Sequence, residues 1–409
     1  MNWELIVIVF MSLARYSRYG FRYFPVVDDW IQYISYQSAS DLFSRWFIGG
    51  GLYATRPLAG LMDLYVWGKI GLSMSFFIIS FVYGLSCYLF LQVFRRHNIR
   101  AGLGFVIVYM LLPINIEGTL WLSASTRIVV SLFLISLSLC FVNHSFLFWL
   151  FNLLSLFFYE QTAVLSLALS LYFTYKKQIR IIPIINSLIF ALYYAAFSRM
   201  GQFGYRSDFA MPSIDFFKDF IEGFINKHSE LIANGFVNGL GQLSFVMIVL
   251  VMLVGIIIPL TLKDNKGSSG LLLGIFLFAI PFTPYLVVVQ PLSFRAFVPA
   301  LVGLGLIVDG IIMSHSVKKA FAMILIPVFL IVGVSEIGDY RRVSIMDKAA
   351  ARQIIDSGAK TFKRQECLTK TNTMYMQHIT NVTESDWAMT GCIRAITRNP
   401  DYPMLICEE

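Results

Sequence analysis

The chain has 409 residues, of which 57% are hydrophobic and only 14% charged, and its mean hydropathy is +0.70. Soluble domains carry about 25% charged residues, so this composition excludes a water-soluble globule and predicts an all-α integral membrane protein. The net charge of +8 does not indicate nucleic-acid binding, because the basic residues form short clusters between apolar runs rather than one face.

Apolar runs occur throughout residues 1–337, and a helix needs about 20 such residues to cross the hydrocarbon core. They predict about eleven transmembrane helices, near residues 3–24, 72–94, 101–116, 124–142, 145–159, 161–175, 181–199, 239–262, 270–289, 294–313 and 319–337. In the first run, the side chains of Arg15, Arg18 and Arg22 are expected to reach the lipid head groups.

Basic residues predict the orientation of these spans. Segments 95–100, 176–180, 263–266 and 318–319 are rich in Lys and Arg and fall on one predicted side, which the positive-inside rule assigns to the cytoplasm. The opposite side then receives three longer segments. These are a first outer loop at 25–71, expected to form interfacial helices, a second outer loop at 200–238, and a small extracytoplasmic C-terminal segment at 338–409.

The pair Asp28–Asp29 follows the first predicted span directly and precedes Trp30. Adjacent carboxylates at a membrane surface are costly unless they are solvated, paired or bound to a ligand. One of them could serve as a general base toward a hydroxyl, while the other orients that hydroxyl, binds a sugar or holds a metal. The alternative is that one of the two only caps the helix that follows.

Three arginines are predicted at outer helix ends and at one membrane depth: Arg56, Arg127 and Arg295. The guanidinium group suits phosphate binding because it offers a rigid fork of donors, although any single one could be an ordinary interfacial anchor. Glu117 and Glu160 lie on the same predicted side. We expect an ion pair with an arginine at Glu117, and either an ion pair or binding of acceptor hydroxyls at Glu160.

A first span, an outer loop beginning with Asp28–Asp29 and an Arg56–Pro57–Leu58 element before the next long span together resemble the GT-C superfamily of membrane glycosyltransferases. Within that superfamily, the chain is most similar to the serotype-converting O-antigen glucosyltransferases of bacteria and their phages. The resemblance covers the topology of most of residues 1–337 and the short motifs in 24–58. The C-terminal segment adds no signature.

The resemblance implies transfer of one sugar from a polyprenyl-phosphate carrier to a hydroxyl of a surface glycan such as O-antigen, outside the cytoplasm of a bacterial inner membrane. Asp28 or Asp29, with a slight preference for Asp29, would be the base, and the anomeric centre would invert. The arginines would bind the donor phosphate, while Glu160, Glu117 and Trp30 would contact sugar or acceptor. No cofactor is implied and no metal is favoured.

Two alternative classes of function fit the same sequence. The first keeps a catalytic site on the outer side, and the second has none. An O-antigen polymerase or another lipid-linked transferase would use a different donor. A lipid-linked sugar flippase or other transporter, or a noncatalytic scaffold, would need no transfer chemistry. Transporters usually place charged groups near the midplane of the membrane and often show repeated halves. The predicted spans are nearly free of central charges, and no internal repeat is visible.

Overall fold

The structure is a computed structural model that describes residues 3–16, 20, 22–35, 40, 56–66, 71–175, 179, 181–198, 214–262, 267–284, 294–312, 315–363, 381–399 and 401–408. Across these residues the chain is almost entirely helical. The strands among them are one short parallel pair near the C-terminus. The predicted all-α class is therefore confirmed.

The helices of the first half are α1 Trp3–Ala14, α2 Asp28–Ser35, α3 Pro57–Tyr65, α4 Leu72–Arg96, α5 Leu103–Leu111, α6 Ile116–Leu120, α7 Leu122–Cys140, α8 Ser145–Leu156, α9 Glu160–Thr174 and α10 Ile181–Ser198. The second half contains α11 Ile214–Gln242, α12 Phe245–Thr261, α13 Leu271–Ala279, α14 Leu301–Ile311, α15 His315–Ser357, β1 Thr361–Lys363, α16 Asp386–Thr397 and β2 Ile406–Glu408. Short 3-10 turns lie at Pro113–Asn115, Ile280–Phe282, Phe294–Phe297 and Val382–Glu384.

Three of these helices, α4, α7 and α15, are long and apolar enough to cross a membrane. Helix α5 and segment 113–120 make a fourth candidate if they form one span, and they meet at a bend of 48°. The bend follows Leu112, where Pro113 cannot continue the hydrogen bonding of α5. Each remaining predicted span contains a shorter helix. The fold is compatible with a multi-pass membrane protein, and the number of eleven spans stays a prediction.

Residues 98–100 of one predicted basic segment and Lys318 of another lie at one end of the helix bundle, here called the basic-loop end, whereas 263–266 and most of 176–180 lie outside the described residues. Backbone hydrogen bonds join Asn98 and Arg100 to Ser268. At the same end Asp309 accepts backbone N–H bonds from the first turn of α5 and pairs with Lys318 at 2.6 Å. Helix α4 runs away from this end over 25 residues, which corresponds to about 37 Å.

The first outer loop and the C-terminal segment pack against each other. Helix α2 lies against α16 and the last turns of α15, and an apolar cluster that contains Trp30, Met389 and Cys392 fills the contact. The strands β1 and β2 close this segment in parallel register. Helix α15 passes through the predicted boundary between residues 337 and 338 without a break, so that the C-terminal segment begins as an extension of the last span.

The structure differs from two of the sequence-based expectations, one about the arginines of the first span and one about the second outer loop. Arg15 does not reach outward but is buried, where it donates to the Met110 carbonyl and to Asn115 Oδ1. Arg22 is exposed, and Arg18 lies outside the described residues. Helix α11 continues past the end of the predicted second outer loop and packs along α15, because an uninterrupted 29-residue helix can bury one face against a longer neighbour.

Candidate functional site

The predicted site residues lie at the beginnings of helices, at the end of the bundle opposite the basic loops. Asp28 and Asp29 open α2, Arg56 immediately precedes α3, Glu117 is in the first turn of α6, and Glu160 opens α9. The first backbone N–H groups of a helix have no partner within that helix, and they favour nearby negative charge. Four separate helix beginnings therefore supply the polar environment of this region.

Asp29 is completely buried and accepts four hydrogen bonds. The hydroxyl and backbone N–H of Ser123 donate to Oδ1, while the Tyr23 hydroxyl and the Val26 N–H donate to Oδ2. Ser123 lies in the first turn of α7, so Asp29 caps that helix from another part of the chain. All of its oxygen acceptor positions are used, and Asp29 thus anchors α2 to α7.

Burial has the largest effect on the pKa of Asp29. Loss of hydration raises the pKa of Asp29 from 3.8 to about 7, although the hydrogen bonds from Ser123 and Tyr23 lower it in part. The turn before the pair is strained, because Val27 has a φ of +41°. β-Branched residues rarely adopt this left-handed conformation. Asp28 and Asp29 are consecutive residues of the helix that follows, so their side chains point about 100° apart and face different surroundings.

Asp28 is only half-buried, and its charge acts on Glu117. Glu117 itself is 1% exposed, and its Oε2 accepts the backbone N–H of Arg295 at 3.1 Å. The Arg295 guanidinium lies 5.0 Å from the centre of the Trp121 ring. The charge of Asp28 thus acts on Glu117, while Asp29 acts on Tyr340, which also lies in the field of Glu117.

Arg56 and Glu160 form a two-point ion pair. The Arg56 Nε lies 2.9 Å from Glu160 Oε1, the Nη2 lies 2.7 Å from Oε2, and both side chains are 20% exposed. The guanidinium also lies over the Tyr159 ring, 4.7 Å from its centre. Glu160 thus forms a side-chain ion pair with one predicted arginine, whereas Glu117 accepts the backbone N–H of Arg295 and lies in the field of its charge.

Tyr159 connects this ion pair to the Asp28 side of the site. Its hydroxyl lies in the combined field of Arg56, Glu160, Arg295 and Glu117. These four side chains come from separate segments of the chain, and Arg56 is the one that lies over the Tyr159 ring. Of the predicted arginines and acids, Arg56, Arg295, Glu117 and Glu160 thus act on the same tyrosine, and their role as a site stays a prediction.

Arg127 has a different environment from the other two predicted arginines. Its Nη2 lies 2.8 Å from Oδ2 of Asp63, a completely buried residue of α3, and Thr126 donates to Oδ1 of the same carboxylate. The pair locks α3 to α7. Arg127 is engaged in holding the two helices together, and its charge is balanced by Asp63.

Trp30 also lies apart from the Glu117–Arg295 group. Its ring is 3% exposed within the apolar contact to the C-terminal segment, and its indole N–H donates to Asp347 Oδ2 at 3.2 Å. The structure places it as a contact to the C-terminal segment, whereas the sequence suggested a sugar-binding role.

Several residues of this region were not singled out by the sequence patterns. They are Tyr23, Asp63, Trp121, Tyr159, Glu336 and Tyr340. The sequence could have identified Glu336, because an acid at the end of a long apolar run is costly. The others are aromatic residues in an aromatic-rich chain, or an acid in a short helix, and local sequence does not distinguish them from packing residues.

The described residues contain no group of three or more His, Cys, Asp or Glu side chains arranged to hold a metal ion. Comparison of the chain with protein-family models, with curated proteins and with solved structures found no match.

Proposed function

We propose that the protein is an inverting glycosyltransferase that moves a single sugar, in the first instance glucose, from a polyprenyl-phosphate carrier to a hydroxyl of a cell-surface glycan such as O-antigen. One observation carries this proposal. A half-buried carboxylate, Asp28, acts on Glu117, whose Oε2 accepts the backbone N–H of Arg295, and the charges of Glu117, of Arg295 and of the Arg56–Glu160 pair all act on Tyr159. A general base and positive charge are the two requirements for displacing a phosphate leaving group.

The reaction that we propose is a single displacement. The Asp28 carboxylate takes the proton of the acceptor hydroxyl as its oxygen forms a bond to the anomeric carbon. The bond from that carbon to the phosphate oxygen breaks on the opposite face, and the lipid phosphate leaves as an anion. A phosphate anion is a stable leaving group and needs no general acid. Arg295, and Arg56 with it, would stabilise the charge that develops there.

Asp29 has a positioning role in this proposal. Its four donors fix the start of α2, where the neighbouring Asp28 acts on Glu117. This reverses the sequence-based preference for Asp29 as base. A carboxylate that is completely buried and fully hydrogen-bonded cannot approach an acceptor hydroxyl without losing those bonds.

The same proposal includes the finer topology. About eleven spans would cross a bacterial inner membrane, with the basic-loop end in the cytoplasm and the candidate site at the extracytoplasmic surface. A lipid-linked donor can then present its head group to the site while its chain remains in the bilayer, and no nucleotide is required. The GT-C resemblance and the separation of the basic loops from the candidate site support this arrangement.

Sugar transfer by the purified protein tests the proposal. Wild-type protein in nanodiscs would receive radiolabelled polyprenyl-phosphate-glucose and lipopolysaccharide acceptor, beside Asp28→Asn and Asp29→Asn. We expect Asp28→Asn to fold with wild-type thermal stability and to lose transfer. Asp29→Asn should lower thermal stability, because its amide group faces donors. Transfer that persists in Asp28→Asn would exclude this residue as the base, and inactivity toward every lipid-linked sugar tested would exclude the class.

A lipid-linked sugar transporter is the second candidate, and Arg15 favours it. A buried arginine inside a helix bundle often marks a transport path, and Arg15 donates to the α5 carbonyl of Met110 and to Asn115. The two functions differ in covalent chemistry. Proteoliposomes that move labelled lipid-linked sugar across the bilayer without forming a glycosidic product would support transport. A polymerase would be recognised by a product that contains repeated transferred units.

A further inference from the structure

Helix α5 ends inside the bundle, at the 48° bend between α5 and the segment that contains α6. The carbonyls in the last turn of a helix have no partner within it, and Pro113 brings no N–H to the turn that follows. Side chains supply the missing donors. The Tyr109 carbonyl accepts a hydrogen bond from Asn115 Nδ2, and the Met110 carbonyl accepts one from Arg15 Nη1, each at 2.9 Å.

Arg15 contacts both halves of this broken segment. It follows α1 directly and is 3% exposed. Its Nη1 donates to the Met110 carbonyl at the end of α5, and its Nη2 donates at 2.6 Å to Oδ1 of Asn115, the residue before α6. Both acceptors are neutral, and the carboxyl end of a helix carries a partial negative charge that stabilises a cation. One planar guanidinium group therefore joins the two halves.

The surroundings of this guanidinium group are those of a cation site. In membrane proteins with broken helices, carbonyls at the carboxyl end of a half-helix bind free cations. Here the cation that the Met110 carbonyl and Asn115 Oδ1 hold belongs to the chain itself. A short uncharged side chain in place of Arg15 would leave these two buried oxygens without that donor. A free guanidinium ion carries the same planar set of donors and would fit the space that remains.

The second half of the broken segment carries part of the candidate site. Glu117 is in the first turn of α6, and its Oε2 accepts the backbone N–H of Arg295. Helix α6 lies so close to the segment of Arg295 that a Cβ added at Gly118 would meet a methyl group of Val298 at 2.5 Å. Helix α6 and that segment should therefore move together. A change in the bend would displace both relative to Asp28, which is on α2.

We infer that Arg15 is a positioning residue, whose guanidinium group fills a cation site at the break in α5 and thereby sets the place of Glu117 and Arg295. The positioning role rests on the proposed transferase function, whereas the cation site does not. A reacting group that is misplaced by about 1 Å can reduce turnover about 100-fold, even when the changed residue touches no substrate. The cation site and the positioning role therefore have separate readouts, which are thermal stability and transfer.

Thermal unfolding in the presence of guanidinium tests the cation site. Wild type and Arg15→Ala, each as the full chain in nanodiscs, would be heated with guanidinium chloride up to about 50 mM, far below the molar range that unfolds proteins, and with equal NaCl. We expect Arg15→Ala to unfold below wild type, and guanidinium to raise the midpoint of the variant but not that of wild type. No rise, or an equal rise in NaCl, would overturn the site.

Two further variants keep the test decisive if Arg15→Ala does not fold. Arg15→Lys keeps a positive charge at the end of α5, whereas Arg15→Gln keeps a side chain of similar reach without the charge. Arg15→Lys should have the higher thermal midpoint and the higher transfer rate of the two. A midpoint of Arg15→Gln that equals or exceeds that of Arg15→Lys would show that no cation is required at this position.

Transfer by folded protein tests the positioning role, and Arg95→Ala is the matched control. Arg95 pairs with Glu4 at 2.7 Å and ties α1 to α4 at the basic-loop end. Both alanine variants should weaken the attachment of α1, but only Arg15→Ala changes the bend. At a temperature below both midpoints, transfer by Arg15→Ala should fall at least about tenfold and recover with guanidinium, while transfer by Arg95→Ala stays near wild type.

The two readouts separate this inference from the proposed function. Wild-type rates in folded Arg15→Ala, beside active wild type, would overturn the positioning role and leave the transferase standing. An equal loss of transfer in Arg95→Ala would also overturn it, since loosening of α1 would then be sufficient. If wild type transfers no lipid-linked sugar, the positioning role falls with the transferase, and the midpoints still decide whether guanidinium replaces the Arg15 side chain.

Discussion

The indole N–H of Trp30 donates to Asp347 Oδ2 at 3.2 Å, across 317 residues of sequence. Asp347 Oδ1 accepts the backbone N–H of Val382, and the ammonium group of Lys348 lies 5.5 Å from the centre of the Trp30 ring. This contact ties α2, which begins with Asp28, to both the end of α15 and the segment that follows. The C-terminal segment therefore holds α2 in place, and Asp28, the candidate base, is the first residue of that helix.

Trp30→Phe should weaken this connection while preserving its apolar packing. Loss of the indole N–H leaves Asp347 with one donor fewer, which should lower the free energy of unfolding by about 1–3 kcal/mol. The thermal midpoint and the rate of proteolysis of the C-terminal segment measure the change. Trp387→Phe is the matched control, since Trp387 is on α16 and 42% exposed. Equal behaviour of the two variants would contradict a special role for the Trp30–Asp347 bond.

Arg127 and Asp63 should behave as a structural pair. Removal of one partner leaves a buried charge and should cost about 3–5 kcal/mol, whereas removal of both should cost less. We expect Asp63→Ala and Arg127→Ala each to lower the thermal midpoint more than the double variant does. If Arg127→Ala is instead stable and its KM for the lipid-linked donor rises, Arg127 binds the donor phosphate.

Arg295 is the arginine for which we predict a donor-phosphate role. Arg295→Gln removes the charge beside Glu117 and should raise the KM for polyprenyl-phosphate-glucose at least about tenfold, because charge-assisted hydrogen bonds to phosphate are strong. Arg295→Lys keeps the charge but loses stacking on Trp121, so its effect should be smaller. The exposed Arg352→Gln is the control. An unchanged KM in Arg295→Gln would show that Arg295 does not bind the donor.

The stability of the protein should fall as the pH rises from about 4 to about 7. Burial raises the pKa of Asp29 and of Asp347 from 3.8 to about 7, so the folded state binds more protons in this window. Each group adds a slope of up to about 1.4 kcal/mol per pH unit. Across this range, the thermal midpoint of Asp347→Asn should fall less steeply with rising pH than the midpoint of wild type does. A midpoint that falls equally steeply in both proteins would contradict the shifted pKa of Asp347.

Local patterns predicted the helical elements well, because long apolar runs dominate their formation. Helix α4 matches its predicted span within two residues at its C-terminal end, and basic segments mark the end where Asn98 and Ser268 meet. The 48° bend after α5 was not expected, although Pro113 is its cause. Helix lengths were also overestimated, since several apolar runs contain a helix that occupies only part of them.

By itself, the sequence determined the helical class, the clustering of basic residues between apolar runs and the residues that could carry chemistry, because composition and charge spacing are local properties. Only the tertiary structure decided which carboxylate is buried, since Asp29 finds its donors on Tyr23 and Ser123. It also paired Arg127 with Asp63 and Arg56 with Glu160, and placed Trp30 under the C-terminal segment. Partners distant in the chain set the solvation and charge of each group, and no local pattern encodes which partner it meets.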